Sequence, residues 1–265
     1  MAAALDLRGR VVVVTGAGSG MGRSYALEAA RRGAVLALAD YDPAGLAQTA
    51  GLLPAGTTVL TRVLDVSDRD AVEAFAASVD ADLGGAHVVI NNAGIEGAVL
   101  AAEAIPEEVH RRVMAVNFDG VRYGTLAFLP QLRARDRAAL VNVSSLFGLI
   151  GTPHHSDYCA SKFAVRGFTE ALAAELVGTG VSVHLVHPGG VATNIARQAG
   201  SQAFAAKYLT TAPDDIARLV LDALGTRRTR IVAGHRAPST FLGSRLLPLW
   251  VMTRLVRRDL DAVLD

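Results

Sequence analysis

The chain has 265 residues, 51% of them hydrophobic, and a formal net charge of +1. That length suits one α/β domain with a well-buried core, and near-neutrality argues against a nucleic-acid surface or an acidic partner. A single cysteine, Cys159, excludes an intrachain disulfide, while the absence of a signal-like start in Met1 to Leu7 and of any apolar run long enough for a bilayer points to a cytoplasmic protein without a transmembrane segment.

The first apolar run, Val11–Thr15, reads as a strand and leads into Thr15-Gly16-Ala17-Gly18-Ser19-Gly20-Met21-Gly22. A helical pattern over 20–32 follows. Glycines permit positive φ and close backbone approach. The N-terminus of the following helix then offers free N–H groups and a positive dipole end to a pyrophosphate. The second strand, Val35–Ala39, ends at Asp40, where a carboxylate can accept hydrogen bonds from a ribose and repel a 2′-phosphate. Further strands are expected at Thr58–Leu64, Val88–Asn91, Ala139–Val143, Val181–Val186 and Arg230–Val232. Between them lie helical patterns at 43–53, 68–83, 107–133, 156–178 and 213–225. Alternation of this kind calls for a parallel sheet covered on both faces and, with right-handed crossovers, a doubly wound fold.

The helix over 156–178 carries Tyr158 and Lys162, four residues apart and so on one face. An ammonium beside a phenol favours phenolate and is expected to lower the tyrosine pKa toward neutrality. Lysine is rare here: the chain has two, Lys162 and Lys207, so a lysine at this position suggests a need for a compact ammonium rather than a guanidinium. His154-His155 has no third metal ligand nearby, and no metal site is expected.

In this order, Thr15 to Gly22, Asn91-Asn92-Ala93-Gly94, Asn117, Ser145, Tyr158-x-x-x-Lys162 and Pro188-Gly189 resemble the short-chain dehydrogenase/reductase family over about residues 8 to 235. The T-G-x-x-x-G-x-G spacing fits it, whereas G-x-G-x-x-G does not. The resemblance implies a Rossmann-like, three-layer α/β/α fold with seven parallel strands in the order 3-2-1-4-5-6-7. It implies hydride transfer between a nicotinamide and a secondary alcohol or ketone. Tyr158 would be the acid/base, and Lys162 would tune it and hold the nicotinamide ribose. Ser145, chosen over Ser144 by its thirteen-residue distance from the tyrosine, would hold the substrate oxygen. Asn117 would hold a relay water.

For the cofactor, the resemblance assigns Gly16, Ser19, Gly20, Met21 and Gly22 to the phosphate turn. Asp65, Val66 and Val116 fall to the adenine, and Asn92, Ala93 and Gly94 to a backbone passing close by. Pro188, Gly189, Val191 and Thr193 fall to the nicotinamide. Asp40, with no basic residue at Ser19 or Tyr41, favours NAD over NADP, and Arg23 is the one reservation. The rival reading is a catalytically silent dinucleotide-binding protein on the same scaffold.

The linings suggest a neutral, hydrophobic substrate, with Ile195 to Tyr208 as an amphipathic lid. Gly120 and Gly124 on one helix, and Ala160, Ala164, Gly167, Ala171 and Ala174 on another, suit either the subunit interface of a homo-oligomer, dimer or tetramer, or packing on the sheet. One domain spans 1–265, with an apolar, arginine-studded extension at 241–265 that the resemblance does not cover well. Three fates are open to it: covering the pocket or a neighbouring subunit, lying on a membrane surface, or packing on its own domain.

Overall fold

The structure, a computed structural model, describes residues 4–193 and 207–264. The expected lid lies outside the described residues as far as position 206.

Seven strands form one all-parallel sheet in the order β3-β2-β1-β4-β5-β6-β7. They are β1 (Val11–Thr15), β2 (Val35–Asp40), β3 (Val59–Val63), β4 (Val88–Asn91), β5 (Ala138–Val143), β6 (Val181–Gly189) and β7 (Arg230–Gly234). Helices flank it on both sides, giving three layers: α1 (Gly20–Arg31), α2 (Pro43–Gly51), α3 (Arg69–Leu83), α4 (Glu107–Met114), α5 (Gly120–Arg133), α6 (Ser156–Glu175) and α7 (Pro213–Ala223).

The two-residue period of the central strands sorts their side chains into two cores. Val12 and Val14 join Leu36, Leu38 and Ile90 on one face. Val11 and Val13 join Ala37, Ala39 and Phe128 on the other. Each such fully buried large side chain contributes roughly 1.5–3 kcal/mol relative to exposure, so strand and helix positions are held from both sides.

A polar seam runs through the second core. Asn91 Nδ2 donates to Asn142 Oδ1 at 2.9 Å and to Thr125 Oγ1 at 3.1 Å, and Asn142 Nδ2 donates to Thr169 Oγ1 at 3.0 Å. Asn91 and Asn142 are register partners in β4 and β5. The seam therefore ties that register to α5 and α6. Gly124 belongs to the same place, since a methyl there would sit 2.2 Å from Asn91 Oδ1; one on Gly120 would sit 2.7 Å from Val66. These two glycines are used for packing within the chain. On α6, by contrast, Ala160, Phe163, Gly167, Ala171 and Ala174 are exposed.

Two features depart from the sequence expectation, one at the ends of β6 and β7 and one in the stretch 107–133. β6 runs on to Gly189 and β7 to Gly234, pairing Pro188 with Ala233; the proline sits where the sheet runs out. The stretch read as one helix over 107–133 is broken by a π-helical turn, Ala115–Asp119, between α4 and α5. Such turns cluster at functional sites, and this one carries Asn117. The extension folds as two helices, α8 (Ala237–Leu246) and α9 (Leu249–Leu264), with Pro248 between them. Proline cannot continue a helix but is accommodated at its start. Among the described residues no helix is long and apolar enough to cross a membrane.

Candidate active site

The glycine turn leaves β1 and enters α1 with no side-chain cap at Ser19, so the first-turn N–H groups are not taken up by that residue. Gly16 has φ +67°, and a methyl on it would lie 2.8 Å from Ala93 Cα. At Gly22 a methyl would meet Gly16 O at 1.8 Å. No other residue fits there without moving the turn. Thr15 Oγ1 accepts from the N–H groups of Asn92 and Ala93 at 3.1 and 3.2 Å, and Asn92 Nδ2 donates to Thr15 O at 3.0 Å. The ends of β1 and β4 are thereby locked side by side. Thr193 packs against Gly20, whose φ is +50°, and this brings the segment after β6 to the start of α1.

Asp40 stands at the end of β2 with its carboxylate under the turn. Oδ2 accepts from Gly18 N at 2.7 Å and Oδ1 from Asp42 N at 2.8 Å. Arg23 donates to Thr49 Oγ1 at 2.9 Å, to Gln48 Oε1 at 2.7 Å and to the Gly18 carbonyl. Its guanidinium is thus spent on holding α2 to the turn. Asp65 accepts from Ser67 N at 2.9 Å and pairs with Arg112 at 2.8 Å. Val66 and Val116 are both buried.

Ser145 follows β5. Its Oγ accepts from Phe147 N at 3.1 Å, closing the short turn Leu146–Gly148, and it is hydrogen-bonded to the Tyr158 phenol. Ser144 is buried and donates to Lys162 O at 2.9 Å, so its hydroxyl is spent on anchoring α6. Tyr158 and Lys162 lie one turn apart on α6, with Nζ 5.6 Å from the tyrosine ring centroid and 3.3 Å from Val143 O. Asn117 is buried. Its Oδ1 accepts from Ile95 N at 2.8 Å, and its Nδ2 donates to Ile95 O at 3.0 Å and Ser161 Oγ at 3.1 Å. Gly94 makes room between them: a methyl there would stand 3.2 Å from Asn117 Oδ1 and 3.3 Å from Lys162 Nζ.

The expected lowering of the Tyr158 pKa is not what the protein shows. Burial pushes the phenol up to about 12, partly opposed by the Ser145 hydrogen bond. Burial also lowers Lys162 from 10.5 to about 8. Removing both groups from water penalises both charged forms, and this outweighs the attraction of an ammonium 5.6 Å from the ring.

Several contributors escape a reading of the sequence. Asp157, buried, accepts from Ala98 N at 2.9 Å and from Tyr158 N at 2.7 Å, and so orients the first turn of α6. His187, on β6, donates from Nδ1 to Ser145 O at 2.8 Å, the carbonyl being only an acceptor. Burial drives its pKa down to about 4, so the ring is neutral. Asp157 has a signal of sorts, as an acidic residue in the first turn of a helix; His187 has none.

These elements border one cavity of about 480 Å³. Met21, Asn92, Gly94, Val191 and Thr193 line one end, Ser145, Tyr158 and Lys162 the middle, and Leu247, Met252, Leu255 and Val256 from the α8–α9 unit the far wall. Among the described residues, no group of three or more His, Cys, Asp or Glu is placed to hold a metal.

A doubly wound parallel sheet whose first strand leads into a glycine turn and whose second ends in an acid, with a tyrosine–lysine pair in the adjoining cleft, is the frame of a dinucleotide-dependent oxidoreductase. The family model for short chain dehydrogenase matches residues 10–203. The putative oxidoreductase SadH of Mycobacterium tuberculosis is 42% identical over 257 residues, which is 91% of this chain and 92% of SadH. Retinol dehydrogenase 10 of Rattus norvegicus is 35% identical over 212 residues, covering 69% of this chain and 62% of the relative. A short chain dehydrogenase/reductase from Burkholderia phymatum, solved in complex with NAD, superposes with a TM-score of 0.85 at 30% identity over 97% of this chain and 96% of that one. The chain belongs to the short-chain dehydrogenase/reductase family, whose members are NAD(P)-dependent oxidoreductases.

Proposed function

We propose that the protein interconverts a neutral, hydrophobic secondary alcohol and its ketone, with NAD as the preferred cofactor. The observation that carries this reading is the cavity itself, in which Tyr158, Lys162 and Ser145 stand between the glycine turn and an apolar wall. The phosphate turn would be Gly16, Ser19, Gly20, Met21 and Gly22, with the uncapped α1 N-terminus toward the pyrophosphate. Asp40 would take the adenosine ribose. Asp65, Val66 and Val116 would border the adenine, although the Asp65 carboxylate is already engaged by Ser67 and Arg112. Asn92, Ala93 and Gly94 would border the dinucleotide, and Pro188, Gly189, Val191 and Thr193 the nicotinamide. The bound cofactor supplies the hydride acceptor or donor.

The chain's own groups handle the proton. In oxidation Tyr158 takes the hydroxyl proton at its phenolic oxygen; in reduction it returns one there. Ser145 holds the substrate oxygen beside that phenol and steadies the charge that develops. Lys162 remains protonated below about pH 8 and favours the phenolate. Asn117 fixes the backbone of Ile95 next to the lysine and borders the path by which a proton returns.

The preference for NAD rests on Asp40 and on the engagement of Arg23 by Gly18, Thr49 and Gln48. The relative crystallised with NAD points the same way. The apolar substrate rests on the lining from α8 and α9, and the name of the rat retinol dehydrogenase agrees with it. One cytoplasmic domain, assembled as a homo-oligomer through the exposed small-residue face of α6, completes the proposal. Titration with NAD and NADP, followed by turnover on a panel of apolar secondary alcohols, tests it. Dinucleotide binding with no turnover of any alcohol or ketone would indicate a silent scaffold instead.

A further inference from the structure

We propose that the junction of α8 and α9 is a docking surface for an anionic lipid bilayer. Every residue from Arg245 to Trp250 is exposed, so this turn stands off the body of the protein. Its tip is apolar: Leu246 is 71% exposed, Leu249 79% and Trp250 62%. A cluster of that kind in water is costly and marks an interaction site. Beside it stand Arg245 and Arg254, both exposed, with the exposed Arg257 and Arg258 about two turns further along α9, and residues 237–258 contain no acidic side chain. Arg254 stacks on Trp250 at 5.2 Å from the ring. Apolar side chains with tryptophan at the tip and cations beside them match a headgroup boundary, where the leucines enter the acyl edge and the arginines meet phosphate.

The charge also separates this partner from a second copy of the chain. In a two-fold contact the patch would face itself, so Arg245 and Arg254 would oppose their own copies, while the nearest acid of α9, Asp259, is already paired with Arg236. The face behind the tip adds a consequence. Gly243, Leu247, Met252, Leu255 and Val256 line the cavity, so a bilayer seated on the tip lies next to the apolar wall. If the reading of the site as an alcohol dehydrogenase holds, an apolar substrate dissolved in lipid passes to that wall without crossing bulk water.

Trp250 is the only tryptophan, so its emission reports on this surface alone. The full-length protein, loaded with NAD, is titrated with vesicles of phosphatidylcholine and with vesicles containing phosphatidylglycerol. The expected result is a blue shift and co-sedimentation with the anionic vesicles, reversed by high salt. Replacing Arg245, Arg254 and Arg258 together by Gln should weaken partitioning about a hundredfold, at about fivefold for each cation near an anionic surface. Leu246→Ser with Leu249→Ser should remove the blue shift while NAD binding, measured separately, stays intact. That control separates the two readings, because loss of NAD binding in wild type would count against the dehydrogenase proposal and not against this one. Unchanged Trp250 emission with anionic vesicles overturns the inference. So does a blue shift that follows protein concentration without lipid, which would assign the patch to a second copy.

Discussion

Replacing Lys162 by methionine should make the cofactor-free protein more stable while destroying its proposed activity. Lys162 is 3% exposed, and burial lowers its pKa from 10.5 to about 8. The unfolded chain binds this proton up to about pH 10.5 and the folded chain only up to about pH 8, so between those values unfolding takes up a proton and stability rises with pH. Below about pH 8 the whole penalty is present, roughly 3 kcal/mol at about 1.4 kcal/mol per decade. Methionine fills a similar volume with no charge. It loses the 3.3 Å hydrogen bond to Val143 O, worth about 1 kcal/mol. The variant should therefore gain about 2 kcal/mol at pH 7, and the gain should vanish at about pH 10 and reverse above it, where only the lost hydrogen bond remains. Urea unfolding of both proteins by circular dichroism, at several pH values from 6.5 to 10, measures this directly. The raised pKa of Tyr158 is common to both proteins and cancels to first order. A variant no more stable than wild type at pH 7, or a difference indifferent to pH, would refute the reasoning.

Tyr158→Phe should leave NAD affinity within a factor of about two and lower kcat by about 10²–10⁴; substantial turnover at its own pH optimum would remove Tyr158 from the mechanism. With the buried phenol at about 12, wild-type alcohol oxidation should climb with pH, because the required phenolate becomes more populated; a rate flat from pH 6 to 10 would contradict that role. Asp40→Ala with Tyr41→Arg should shift kcat/KM toward NADP, and a wild type already faster with NADP would overturn the reading of Asp40. Gly124→Ala forces a methyl to within 2.2 Å of Asn91 Oδ1 and should cost about 2 kcal/mol of stability, seen as a lower denaturation midpoint; a neutral result would mean the polar seam can shift aside.

The parts of this protein that obey a short-range rule were legible from its residues. Val11–Thr15 and Val88–Asn91 are strands at the expected bounds because continuous apolar runs mark strands buried on both faces. The glycine turn was legible because its geometry excludes a Cβ at Gly16 and Gly22. What depends on distant neighbours was not. The π-helical turn at Ala115–Asp119 leaves no mark in a helical pattern, and the partners of Asn117 within it, Ile95 and Ser161, lie 22 and 44 residues away. Spacing conveys the proximity of Lys162 to Tyr158 but not the loss of water around both, which sets the sign of the Tyr158 shift. Pro248 marks the break between two helices, but nothing in the spacing of their apolar residues shows that both border the cavity. His187 carries no signal in the sequence, since its bond joins β6 to the turn after β5, 42 residues away.

The positions of α8 and α9 bear on how such a chain can change over time. Everything proposed to hold the dinucleotide or move a proton lies before residue 194, whereas much of the cavity's apolar wall comes from residues 243–260, after the last strand. The two tasks therefore occupy separate stretches of coding sequence. Substitutions in the terminal stretch can reshape what the cleft admits without disturbing the turn at Gly16 or the seam at Asn91. Grafting the terminal helices of a sister enzyme onto this sheet should carry over the donor's choice of alcohol while the host's choice of dinucleotide persists. Lineages built on this plan can then diversify at one end of the gene while the other end stays constant.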